Sequence, residues 1–277
     1  MQPNEHIRKI VKILIFAFLC TEMQTTFTQR GVAQKRGIGS DSAVSYQASI
    51  RLLADEKDYY GKGHICSGAL VAPAVVISTS ECVYNSNTKA YYHPSELRVI
   101  MGSSQRFAPS IDGIISGVTH IYEPPKDMAI AILMLDRDIP ADHPQIKPIS
   151  LVEAWSQPTN FGEVLVSTWG SDAKNRAVHE LITLKSETHL DICRKIGICV
   201  YLNPSVQLEI GAPMLESNGK LAGLKSSEQK NMFINVASHV DWIQNMIGDG
   251  TNQNSSIWGI MGLIVFTGYV LVVSHKR

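Results

Sequence analysis

The chain has 277 residues, with 25 Lys plus Arg set against 25 Asp plus Glu, and 44% of its residues are hydrophobic. That is globular composition, and a net charge of zero removes the argument for a nucleic-acid binder, which needs a basic stripe to displace counterions. No phosphate loop, nucleotide fingerprint or internal repeat is found, so nucleotide-dependent classes drop out and no cofactor is expected.

In chain order, Arg8, Lys9 and Lys12 precede the apolar run ILIFAFLC, Ile13 to Cys20. A basic start and an apolar run too short to span a bilayer give the layout of a secretory signal. Residues 1–28 are expected to be signal peptide and the start of a propeptide, and 29–36 a propeptide-like segment. The middle of the chain is a series of short β-branched runs bounded by turn residues: AVSYQASIRLL, ICSGALV, AVVISTS, ELRVIMG, GIISGVTHIY, MAIAILML, GEVLVSTWG and HELITLKSE. A strand-turn-strand pattern follows in MLESNGKLAGLKSS. Helical spacing is found only in INVASHVDWIQNMI, Ile234 to Ile247, where Val236, Val240, Ile243 and Ile247 share one face. Many short strands with one late helix predict an all-β domain over 37–247, an antiparallel sandwich or closed barrel.

Residues 248–256, GDGTNQNSS, read as a polar stalk. Ile257 to Val273 is an uncharged run of ~17 residues, the lower limit for a transmembrane helix, and 274–277 end in basic residues that stay on the cytosolic side. A lipid-anchor signal is the other reading of this segment, since Gly248-Asp249-Gly250 supplies small residues ahead of it. Both readings tether the domain to the outer face of the plasma membrane. Cys20 would leave with the signal. The remaining Cys66, Cys82, Cys193 and Cys199 are an even set in an oxidising compartment and predict two disulfides. No Cys-x-x-Cys with histidine spacing exists, so no metal site is expected.

Four stretches in this order resemble the trypsin-like, chymotrypsin-fold serine protease family. KRGIGSDSAVSYQASI is similar to the activation site and first strand, with Arg36 and Gly37 flanking the candidate cleavage point. HICSGALVAPAVVISTSECV is similar to the segment in which a disulfide, here Cys66 to Cys82, encloses the catalytic-histidine turn. KDMAIAILMLDRDI resembles the strand that carries the catalytic aspartate, here Asp127. QLEIGAPMLESNGKLAGLKSS resembles the nucleophile loop and the strand behind it. Minor matches are STWG, Ser167 to Gly170, and VDWI, Val240 to Ile243. The resemblance covers about residues 36 to 247, and it implies two six-stranded antiparallel β-barrels with a C-terminal helix, and a second disulfide from Cys193 to Cys199.

The same resemblance implies that the chemistry is gone. The nucleophile position holds Ile210, which has no oxygen to attack a carbonyl. The histidine position holds Glu81, a poor proton shuttle at neutral pH. The oxyanion-hole glycine falls at Leu208, which disfavours any positive φ there. Glu209 stands where the family uses an aspartate to receive the new N-terminus. Pro204 falls at the floor of the specificity pocket, and Ser227-Glu228 replaces the family's Trp-Gly edge, which weakens peptide binding by strand addition. The expected function is that of a catalytically inactive homologue that binds proteins at the cell surface, its partners being proteases, zymogens or protease inhibitors. A cell-surface adhesion module is a second reading. An active serine endopeptidase is a third, and it requires a different register at Glu81 or Ile210. Two tyrosine pairs, Tyr59-Tyr60 and Tyr91-Tyr92, are candidate contact residues. The scattered histidines, His64 among them, read as structural.

Overall fold

The computed structural model describes residues 43–125, 128–160, 162–189, 197–201 and 206–248. The signal-like segment, Arg36, Gly37, Asp127, Cys193, Pro204 and the apolar run 257–273 lie outside these residues. Among the described residues no helix is long and apolar enough to cross a membrane.

Six strands build the first sheet: β1 (Gln47–Leu52), β2 (His64–Ala72), β3 (Val75–Thr79), β4 (Leu97–Met101), β5 (Ile114–Tyr122) and β6 (Ile130–Leu135). They close into an antiparallel barrel in the order β1-β2-β3-β6-β5-β4, with β4 paired back on β1. Because side chains alternate across a strand, β1 sends Ala48 and Ile50 into the barrel core with Leu70, Val99 and Leu133. Its other face carries Gln47, Ser49 and Arg51, and these are buried too. A strand buried on both faces that is polar on one of them must find hydrogen bonds on that side.

The second sheet contains β7 (Glu163–Thr168), β8 (Ile182–Glu187), β9 (Ile198–Cys199), β10 (Pro213–Glu216), β11 (Leu221–Lys225) and β12 (Met232–Asn235). Its order is β8-β7-β10-β11-β12-β9. The edge strands meet: Tyr201 N donates to Glu187 O at 3.0 Å and His189 N to Cys199 O at 2.7 Å, which closes the sheet into a second barrel-like unit. Its core holds Val166, Leu215, Leu224 and Phe233 and runs on into Ile77, Ile130 and Ile132 of the first barrel. All eight β-branched runs predicted from sequence contain a strand. The helix starts later than its apolar spacing predicts. Ile234 and Asn235 finish β12, Asn235 Oδ1 caps a 3-10 turn, Val236–His239, by accepting from Ala237 N, and the α-helix occupies 240–248. Strand pairing overrode helical periodicity for those two residues, while Val236, Val240 and Ile243 are buried on the expected face.

A disulfide joins Cys66 of β2 to Cys82 in the 3-10 turn Ser80–Val83, with Cα atoms 5.7 Å apart. It anchors the turn that carries Glu81 to the first barrel. Cys199 is also disulfide-bonded.

Candidate functional site

The loop Gln207 to Pro213 passes between the barrels, and its backbone is fixed from both. Ser67 N on β2 donates to Ile210 O at 3.0 Å. Gly211 N donates to Lys225 O at 2.8 Å, and Lys225 N donates to Ala212 O at 2.9 Å. Gly211 has φ +77°, and a Cβ there would lie 2.0 Å from Ser67 O, so only glycine fits. Among the described loop residues it alone has positive φ. Leu208, expected in the oxyanion-hole position, does not adopt it and packs against the second core.

Glu209 points into the protein. Its Oε2 is 2.7 Å from His64 Nε2, and its Oε1 accepts from Trp169 N at 3.0 Å and from the Ser67 hydroxyl. Burial pushes this carboxyl up, but attraction to His64 and the hydrogen bonds from His64, Ser67 and Trp169 outweigh that and hold it below the usual carboxylate range. The network continues outward. His64 Nδ1 is 2.7 Å from Ser49 Oγ, which accepts from Arg51 Nε at 2.8 Å. Arg51, 1% exposed, donates to Glu56 Oε1 at 2.6 Å and to Arg106 O at 2.9 Å, and its guanidinium lies 4.5 Å from the centre of the Tyr60 ring. Gln47 Nε2 donates to Ser67 Oγ at 2.9 Å. The polar face of β1 is met by His64 and Ser67 of β2, by Glu56 and by the Arg106 carbonyl, with Gln47 Oε1 left as a buried oxygen without a partner among the described residues, and the acid expected to receive a new N-terminus has His64 as its hydrogen-bond partner here.

Ile210, next in sequence, faces the other way. It is half-buried against the first core. Glu81, expected in the histidine position, accepts from Ser227 N at 3.1 Å through Oε2, and Glu228 N donates to Ser226 Oγ at 3.2 Å. The backbone edge that would pair with an incoming peptide thus has two of its N–H groups engaged internally. Beside Ile210 lies a cavity of about 360 Å³. Lys225 Nζ donates there to Gln229 O at 3.0 Å and to Ser226 O. Burial pushes the Lys225 ammonium below the usual lysine range, and the charge of Glu81 partly restores it.

The structure brings together Glu209, Leu208, Ile210 and, across Ser227, Glu81. Sequence reasoning missed the roles of His64, Ser67, Ser49, Arg51 and Lys225. A signal existed for two of them, since Ser49 and Arg51 alternate with Ala48 and Ile50 in a strand-like run. The tyrosine pairs split. Tyr59 is 58% exposed and Tyr91 is exposed, whereas Tyr60 lies under Arg51 and Tyr92 packs on the first core.

A family model described as Trypsin matches residues 39–243. Among solved structures, a mutant of human heparin binding protein is similar at a TM-score of 0.62 and 19% identity, covering 74% of this chain and 92% of that one. The unaltered human heparin binding protein matches at 0.61 and 19%, with the same coverage. At such identity the likeness is one of fold, and it agrees with the two barrels and terminal helix described above.

Proposed function

The chain belongs to the trypsin family of serine proteases, and from that premise we propose that it is a catalytically silent member that works by binding protein. The observation that carries this reading is Ile210: its carbonyl is held by Ser67 N and its neighbour Gly211 by Lys225 O, so the nucleophile position is built around a side chain that forms no acyl intermediate. Glu81 supports it, being a carboxylate that accepts from Ser227 N where a proton-shuttling imidazole would stand. With the Ser227 and Glu228 N–H groups engaged internally, strand addition is a poor mode of binding, and the partner meets side chains and loops instead. Tyr59, Tyr84, Tyr91 and Tyr201 supply exposed aromatic anchors. Proteases, zymogens and protease inhibitors are the partner class we propose, at a cell surface to which 257–273 tethers the domain.

Heparin, from which the similar human protein takes its name, gains no support from overall charge, since basic and acidic residues balance at 25 each. The test is a fluorophosphonate probe on the purified full chain beside an active trypsin. No labelling is expected, and stoichiometric labelling of this chain overturns the reading. Surface plasmon resonance against a panel of proteases, zymogens and inhibitors, with heparin as a separate arm, then assigns the partner class.

A further inference from the structure

The cavity beside Ile210 has an uneven charge lining. Leu208 and Ile210 supply apolar wall, Ser226 and Ser227 polar wall, and Lys225 and Lys230 two ammonium groups, while no carboxylate lines it among the described residues. Lys225 is the unusual member. It ends β11, is 5% exposed, and is fixed through its backbone N and O to Ala212 and Gly211 of the central loop. Of the three donors on its ammonium, two go to the Ser226 and Gln229 carbonyls. Among the described residues it has no carboxylate within ion-pair distance. Glu81, the acid that acts on it, is already tied to Ser227 N. An ammonium withdrawn from water with only carbonyl dipoles around it is stabilised when a carboxylate arrives.

We propose that this cavity is a carboxylate receptor, in which Lys225, with Lys230 at the exposed rim, takes an acidic side chain or a C-terminal carboxylate of a protein partner. At about 360 Å³ it lies near the lower end of ligand pockets, which start around 300 Å³, and so fits one residue of a partner. Leu208 and Ile210 would flank the methylene stem of that residue. The proposal rests on the reading that the chain binds protein without cleaving it, and it names the chemistry of that contact.

The experiment is a calorimetric titration of the full chain with three acetylated peptides: Ala-Ala-Ala-Glu as the amide, Ala-Ala-Ala-Ala with a free carboxylate, and Ala-Ala-Ala-Gln as the amide. A carboxylate peptide is expected to bind at least about tenfold tighter than the glutamine amide, the scale of a charge-assisted hydrogen bond. Preference for the first peptide assigns a side-chain source, and preference for the second a chain terminus. Lys225→Met should abolish the preference. Equal affinities, no binding by any of the three, or a preference that survives Lys225→Met overturns the proposal. Should that variant not fold, methyl NMR of the wild type decides. A carboxylate peptide must shift the Leu208 and Ile210 methyl signals, and unshifted signals overturn the site. Mass spectrometry of the recovered peptides separates the two readings. Cleaved peptide refutes catalytic silence and leaves the carboxylate preference standing, whereas intact peptide without preference refutes only the receptor.

Discussion

Glu209 and Ile210 are adjacent in the chain and face opposite ways. On the Glu209 side, a buried acid is matched by His64, Ser67 and Trp169 N, and behind them by Ser49 and Arg51. On the Ile210 side, the positions proposed to match the family's catalytic ones hold an isoleucine and a carboxylate that accepts from a backbone N–H, beside a cavity with a buried lysine. The scaffold that shapes the loop, Gly211 included, is intact in both directions. The loop's geometry is maintained by its inward contacts, through Ser67, Lys225 and the network around Glu209.

The sharpest way to break this comparison is Glu209→Ala. It leaves His64, Ser67 and Trp169 N without their acceptor, and we expect a loss of about 3–5 kcal/mol in urea unfolding. A loss under about 1 kcal/mol would mean that the inward network holds nothing. Gly211→Ala comes next, at about 2 kcal/mol or more, because its Cβ meets Ser67 O and its φ is left-handed. A neutral result would show that the loop moves freely between the barrels.

Acid titration sharpens the same point. The Glu209 carboxyl is depressed in the folded state, so its contribution is fully present above its unfolded pKa, about 4.3, and is lost as pH falls through the folded value. The unfolding midpoint of the wild type should therefore drop below about pH 4, and less steeply in Glu209→Gln. A parallel drop in both proteins would assign acid sensitivity elsewhere. On the outward side the effects are smaller. Glu81→Ala removes one acceptor from Ser227 N and should cost about 1 kcal/mol or less. Ile210→Ser combined with Glu81→His should leave fluorophosphonate labelling at background, because Leu208 does not adopt the positive φ that the oxyanion-hole geometry requires. Labelling of that double variant would show that the cleft had kept its geometry along with its scaffold.

Much of the fold was legible because strands announce themselves by β-branched runs between turn residues, and eight such runs contain strands. The boundary that failed, at Ile234 and Asn235, failed because periodicity describes a face and does not tell which neighbour will pair with the backbone. That Ile210 carries no hydroxyl and Glu81 no imidazole was legible from residue identity, while the alignment of Glu81, Leu208 and Ile210 with catalytic positions came from the resemblance. His64 was legible only as a histidine of structural type, and Lys225 only as a lysine at the end of an apolar run.

Residue type and local spacing alone were enough for the strand runs and for cysteines competent to pair, because each is a local property. Only the tertiary structure decided what Glu209 binds and where the Lys225 ammonium goes. His64 and Glu209 are 145 residues apart in the chain, and they meet at 2.7 Å because two separately closed barrels set β2 against the central loop. No local pattern encodes a contact of that kind.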